Sequence, residues 1–388
     1  MKIYCPNLEG VNTSKTPMTT FSGNVIKPDV TYYNISRPDK RATVESAELM
    51  VEAKYDDSDD PFEEHPTDKG LFRQGDRAKQ TLGQVTNYAT AHLAAQFRTH
   101  IFSILYFRKA ARLMRWDRAG VIVSERIQID SLDFKTFFWR FNHASFEERG
   151  HDPTVTPFKF TKDLTKEFLF KQLQFEADPG KFKLNDINFF KVVLPREDNC
   201  YVIGKATYLG VASLASRATR SFKAWCLKDN RPVFLKDTWR ILSGSLKPEH
   251  EIYGKLAAKQ VHYIPTVHDY SDFEDHRTLT GEYQTPTGEG QTPTGEGQTP
   301  TGEGQTPIGE GQTPIGEGQT PAGEGPKKKH PWVCDTHLQP IRTLQHYRLV
   351  LKEIGRSLTS FEDLREVLRA MRCALQGKDF RLTRQFFY

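Results

Sequence analysis

Along the first third of the chain the apolar positions fall into short strand-like runs separated by one long helical stretch. SAELMVEAKY (46–55) reads as a strand, and the acidic loop DDSDDPFEEHP follows it. Residues 76–98 hold apolar positions at helical spacing without a proline, which predicts a long helix. HIFSILYF (100–107) is rich in β-formers, and ARLMRWDRAGVIVSE (111–125) predicts two short strands meeting near Asp117 and Gly120. Residues 130–150 read as a second helix ending at Gly150. After 151 the pattern is loop-rich until about Asn199. CYVIGKATYLGV, FKAWCL and PVFLKDTW then predict three consecutive strands, and KPEHEIYGKLAAKQ a helix with Pro248 in its first turn. HYRLVLKEIG (346–355) contains a strand. Residues 360–377 predict an amphipathic helix with Ser360 as N-cap, Gly377 as C′, and Leu364, Val367, Leu368, Met371 and Leu375 on one face.

Residues 284–325 break this pattern with six heptads, QTPTGEG three times, QTPIGEG twice and QTPAGEG once. No heptad has two apolar positions to build a coiled-coil seam, and proline with glycine disfavours helix and packed strand alike. The expectation is a disordered acidic linker followed by the basic run Lys327–Lys329, a solvated charge cluster rather than a nuclear address. The fold class expected is α+β. A flexible N-terminus (1–20) leads into an N-terminal α/β domain (21–160), and a connecting segment (161–197) leads to a second unit (198–283). That unit is interrupted by the linker (284–329) and resumes over 330–388.

Composition narrows the classes. Hydrophobic residues make up 37% of the 388, enough for real cores and too many for a wholly disordered chain. A net charge of +5, with 54 Lys+Arg against 49 Asp+Glu, does not mark a nucleic-acid binder. The five cysteines are scattered, with no CxxC pair, so neither a zinc site nor a disulfide framework is expected, and His100, His143 and His151 lack metal-ligand spacing. No signal peptide and no membrane-length apolar run are read, so an intracellular protein, cytoplasmic or nuclear, is expected.

The chemistry lies first in the second unit. A phosphate-holding lysine on a strand, pinned by a glutamate on the next helix, is the pattern that positions ATP in protein kinases. Lys236 ends the apolar run P-V-F-L, and Glu249 opens the following helix with apolar residues three, four and seven positions on. The alternative is an exposed lysine and a solvated glutamate. The phosphate-covering segment between the first two strands would be Ser213–Ser221, small but without glycine; Gly204 and Gly210 lie earlier. Glu353, after the last strand, stands where a backbone hinge would hold adenine. No H-R-D, D-F-G or A-P-E string occurs: His276-Arg277 is followed by Thr278, and Asp272-Phe273 by Glu274.

Five segments resemble one family. They are Gln96-Phe-Arg98 with Arg112–Glu125, Gly150-His-Asp152-Pro-Thr-Val155, Phe234-Leu-Lys236-Asp237-Thr-Trp239-Arg240, and His346-Tyr347-Arg348-Leu-Val-Leu with Glu353 and Gly355. Together they resemble the fungal-type protein kinases over about residues 20 to 376. The resemblance implies a protein-kinase-like N-lobe, ATP with Mg²⁺ as cofactor, and phosphorylation of protein Ser or Thr. It implies an ATP site of Lys236, Glu249, Ser213, Ser216 and Glu353, with Ser216, Ala218 and Ser221 where the family has loop glycines. The expectation is a chain truncated before the catalytic loop, with no catalytic residues and no metal ligands, either as an inactive fragment or as a kinase-like interaction protein. The protein substrate or partner is left open.

A rival constellation sits in the N-terminal domain. Asp29, after Pro28, precedes Glu52-Ala-Lys54 by about two dozen residues, and both lie in strand-like context. This spacing resembles the PD-(D/E)xK nuclease core of a restriction-endonuclease-like fold, where Asp and Glu hold Mg²⁺ and Lys positions a water. The plain alternative is a polar strand face, since residues two apart share a face either way. Asp117 with Arg115 and Arg118 reads either as a site or, more readily, as a buried ion-pair cluster.

Overall fold

The computed structural model describes residues 3–20, 23–37, 39–67, 70–175, 183–210, 213–282, 342–355, 361 and 363–376. The expected repeat linker, 284–329, lies outside them.

The first half is built from β1 (Leu8–Asn12), β2 (Met18–Thr19), β3 (Val25–Ile26), β4 (Val30–Asn34), β5 (Ala47–Ala53), β6 (Phe62–Thr67), β7 (Gly70–Phe72), α1 (Asp76–Ala95), β8 (Ile101–Tyr106), β9 (Ala110–Trp116), β10 (Val121–Val123), β11 (Ile127–Gln128) and α2 (Leu132–His143). Its sheet runs β1-β4-β5-β8-β9-β10. β4 and β5 are antiparallel, whereas β5 and β8 are parallel with α1 as the crossover between them. β5 is buried from Ala47 to Glu52 because both faces are covered. Leu49 and Val51 pack with Phe134, Phe138 and Phe141 of α2. Met50 packs with Tyr88 and Ala91 of α1. Val85, Ala89 and Leu93 of α1, spaced by four, meet Ile101, Leu105 and Trp116.

The second half comprises β12 (Val155–Pro157), α3 (Lys166–Gln172), β13 (Phe190–Leu194), β14 (Asn199–Ile203), β15 (Tyr208–Leu209), β16 (Arg220–Cys226), β17 (Arg231–Ile241), α4 (Glu249–Ala258), β18 (Val267–Arg277), α5 (Leu279–Glu282), β19 (Leu344–Leu351) and α6 (Leu364–Gln376). Its sheet runs β12-β13-β14-β16-β17-β19-β18, antiparallel throughout. The ends of the 283–341 stretch are held beside each other, because Thr278 N–H donates to the Leu344 carbonyl at 2.9 Å and Leu344 N–H to Thr278 Oγ1 at 2.9 Å.

Several expectations need correction. Residues 8–12, expected in a flexible N-terminus, form β1 and pair along their length with β4; five residues are too few to signal by periodicity. The second helix stops at His143 rather than Gly150, since Ala144 has extended backbone and caps it. The loop-rich stretch from 151 holds β12, α3 and β13, and β18 was not expected as a strand. The run from Cys200 to Val211 is interrupted into β14 and β15. The last helix forms over Leu364–Gln376 as expected, and Leu364 and Leu368 of its apolar face are 72% and 64% exposed. Its proposed caps Ser360 and Gly377 lie outside the described residues. Among the described residues no helix is long and apolar enough to cross a membrane.

Candidate functional site

Strand alternation decides what β17 presents. Phe234, Lys236 and Thr238 share one face, Leu235, Asp237 and Trp239 the other. The first face carries α4, whose Tyr253 packs with Phe234 over Tyr347, Leu349 and Leu351. Lys236 rises on that face, and its Nζ lies 2.6 Å from Glu249 Oε1. Glu249 is the first residue of α4, where a carboxylate is favoured by the helix dipole. The pair is accessible from solvent, 23% and 26% exposed at its side chains. Glu249 Oε1 also accepts from Arg217 at 3.2 Å. Sequence reasoning missed Arg217, which sits in the Ser213–Ser221 segment.

That segment is self-bonded. Ser216 Oγ donates to the Ser213 carbonyl at 2.9 Å and accepts from Ala218 N–H at 3.2 Å. Ala218 takes a φ of 42°, a left-handed value that glycine would adopt without cost. Leu214 packs against the Val85–Trp116 cluster of the first half. Ser213 and Ser216 therefore belong to a turn tethered to the N-terminal sheet. Glu353, beyond β19, accepts through Oε2 from Thr266 N–H at 2.6 Å, and Lys352 N–H donates to the Thr266 carbonyl at 2.9 Å. The Lys352–Glu353 segment after β19 is thus fixed to the start of β18.

The other face of β17 meets the first half through a buried charge network. Asp237 accepts from Arg220 at 2.6 Å and from His346 Nε2, and lies 3.5 Å from Arg348 Nε. Arg348 in turn donates to Asp152 at 2.5 Å. Burial alone would raise the pKa of Asp237, but His346, Arg220 and Arg348 hold it well below the ordinary carboxylate range. Asp152 likewise resists burial and is held at about 2 by Arg348, His346 and Thr154. Arg220 also donates to the Gln96 carbonyl at 3.1 Å. Asp117 caps its own turn through Ala119 N–H and Gly120 N–H, and accepts from Thr280 N–H at 3.1 Å. Of the expected cluster, Arg115 reaches Asp117 at 3.4 Å, while Arg118 donates to the Leu93 carbonyl at 2.7 Å.

A second cluster sits at the end of the first sheet, where the start of β4 adjoins the end of β5. Asp29 Oδ2 accepts from Ala53 N–H at 2.8 Å. Glu52 Oε1 accepts from Lys54 Nζ at 2.7 Å and from Gln84 Nε2 at 2.6 Å. Gln84 Oε1 accepts from Lys54 at 2.8 Å, and its amide also reaches Tyr88 at 2.7 Å. Gln84 and Tyr88 come from α1 and carried no signal of their own in the sequence. Glu52 is 4% exposed, and its Oε2 is buried without a hydrogen-bond partner. Burial, reinforced by Asp29, raises its pKa.

The family model for fungal protein kinases matches residues 70–384. No curated protein and no solved structure matches the chain.

Proposed function

Because the chain belongs to the fungal protein kinase family, we propose that its second half is the nucleotide-holding side of a kinase cleft, with Lys236 on the α- and β-phosphates of ATP. The observation that carries this is the 2.6 Å contact between Lys236 and Glu249. A lysine ammonium becomes a fixed point charge for phosphates only when a carboxylate on the adjoining helix orients it. Arg217 adds a second cation at the same carboxylate, in the segment that would cover the phosphates. Ser213 and Ser216 would approach the phosphates less closely than glycines could, and the backbone near Glu353 would meet adenine. Transfer to a protein serine or threonine also needs a base and Mg²⁺ ligands. The 388 residues carry neither H-R-D nor D-F-G. On this reading they hold nucleotide weakly and do not turn it over unaided. The test is equilibrium binding of a fluorescent ATP analogue with Mg²⁺, comparing the chain with Lys236→Met, alongside transfer of labelled phosphate to a generic basic protein. Binding that Lys236→Met leaves unchanged would overturn the site. Transfer that the mutant abolishes would overturn the need for outside groups.

A second reading, independent of the first, concerns the N-terminal cluster. Asp29 and Glu52 suit a hard divalent cation such as Mg²⁺, and Lys54, positioned by Gln84, suits orienting a water for phosphodiester hydrolysis. The partnerless buried Oε2 of Glu52 supports this, because a buried carboxylate oxygen without a donor is costly unless something satisfies it. The antiparallel pair, crossover helix and parallel strand around it support a restriction-endonuclease-like core. Incubating the chain with DNA and Mg²⁺ or Mn²⁺ should give cleavage that Glu52→Gln and Lys54→Ala abolish. Intact DNA under all conditions would remove the reading.

A further inference from the structure

The turn between β16 and β17 lies at one end of the second sheet, and β18 reaches it because the sheet curls. Asp269 of β18 accepts from Asn199 at 2.8 Å and Tyr201 at 3.2 Å, both on β14, and from Arg196 at 3.0 Å. These bonds fix a β-bulge between Val267 and Asp269, and the extra residue is His268. Bulges re-aim side chains. Here the His268 ring lies edge-on to Tyr201, and its Nε2 is 3.6 Å from Cys226 Sγ and 3.5 Å from Asp229 Oδ2. Cys226 is the last residue of β16 and fully buried, and Asp229 lies in the turn that follows. The three ligand atoms all fall within 4.8 Å of one another.

We propose that Cys226, His268 and Asp229 form a zinc site, with the fourth position open to water or an outside ligand. Zinc takes thiolate sulfur at about 2.3 Å and imidazole nitrogen or carboxylate oxygen at about 2.0–2.2 Å, so the edges of its tetrahedron are about 3.3–3.6 Å. The two separations from His268 match those edges, and the third pair, Cys226 with Asp229, lies within 4.8 Å. The donor set, one soft thiolate with a nitrogen and an oxygen, selects Zn²⁺ over Mg²⁺ or Ca²⁺. Binding would release the thiol proton to solvent, since the thiolate is the ligand. It would clip the β16–β17 turn to β18, joining parts of the sheet that no backbone pairing connects. A second group, Asp152, His276 and His346, also gathers ligand atoms within 4.8 Å. There Asp152 is committed to Arg348 and Thr154, and His346 Nε2 to Asp237. By contrast, no arginine competes for Asp229 among the described residues. The widely spaced cysteines and histidines gave no metal motif in sequence, because the three ligands come from a strand end, a turn and a bulge.

Cobalt titration of the full chain tests this, since thiolate-bound Co²⁺ gives a near-ultraviolet charge-transfer band. One Co²⁺ per chain should bind with that band, and Zn²⁺ should displace it. Cys226→Ser should abolish the band, and His268→Ala and Asp229→Asn should each weaken Co²⁺ binding by more than about tenfold. Zn²⁺ should raise the melting temperature of the wild-type chain, and Asp229→Asn, a turn substitution that leaves the core intact, should remove that rise. A band that persists in Cys226→Ser would assign the metal to another cysteine and overturn the proposal. So would a wild-type chain with no band, where Cys226 and His268 share only a weak hydrogen bond.

Discussion

Arg348 of β19 and Asp152, in the loop between α2 and β12, form a buried ion pair at 2.5 Å, and Asp152 N–H bonds the Phe97 carbonyl of the first half at 3.0 Å, so the pair fastens the second sheet to that half. Arg348 is 1% exposed and also lies near Asp237, so one guanidinium serves the carboxylates of the α2–β12 loop and of β17. Gln96, Asp152, Asp237, His346 and Arg348 all belong to the family-like segments, and all meet here. In these segments the chain encodes the joint between its halves as much as the Lys236–Glu249 pair.

Removing one partner of this pair strands a buried charge. Arg348→Ala should destabilise the chain by about 3–5 kcal/mol, measured by urea unfolding. A loss below about 1 kcal/mol, the range of exposed pairs, would show that the network is not what fastens the halves.

Acid should act at the same place. Asp152 has its pKa depressed from 3.8 to about 2, so its contribution is complete above pH 4 and is lost as pH falls toward 2. That share amounts to roughly 2 kcal/mol. Asp152→Asn should flatten the stability profile across that window relative to wild type. Parallel profiles would refute the assignment.

Lys236 and Glu249 behave differently because both are partly exposed. Lys236→Met should change stability by less than about 1 kcal/mol, with Glu249 keeping Arg217 as a partner. Nucleotide affinity should drop about tenfold or more, the worth of a charge-assisted hydrogen bond. A mutant that melts far below wild type but still binds nucleotide equally would reverse this division.

Gly150 is required by a close approach. It has a φ of 94°, and a Cβ there would meet the His100 carbonyl oxygen at 1.9 Å, where Thr99 N–H bonds the Gly150 carbonyl. Gly150→Ala should cost at least about 2 kcal/mol. Thermal melting indistinguishable from wild type would mean that the turn relaxes freely.

The six heptads join strands whose ends are already held by the Thr278–Leu344 hydrogen bonds. Loop-closure entropy grows only with the logarithm of length. Cutting the repeats to one should shift stability by about 1–2 kcal/mol and leave unfolding cooperative. Non-cooperative unfolding of the shortened chain would contradict this.

The sequence by itself determined the elements whose buried faces are apolar. The long helix over 76–95, the strand of Ala47–Ala53 and the β17–α4 unit with Lys236 and Glu249 were legible, because spacing of apolar residues within one element is local information. β18 was not, since its buried positions include Asp269, Ser271 and His276, and a polar face leaves no alternation to read. Asp269 and His276 can be buried only because Asn199, Tyr201, Arg196 and His346 arrive from elsewhere to bond them. Asp29, Glu52 and Lys54 were named from sequence, yet only the antiparallel pairing of β4 with β5 brings the first beside the others, and only α1 adds Gln84. The Cys226, Asp229 and His268 cluster and the Asp152–Arg348 joint were decided wholly by tertiary structure. His268 lies about forty residues from Cys226 and Asp229, and Arg348 nearly two hundred from Asp152, and no local pattern carries those distances.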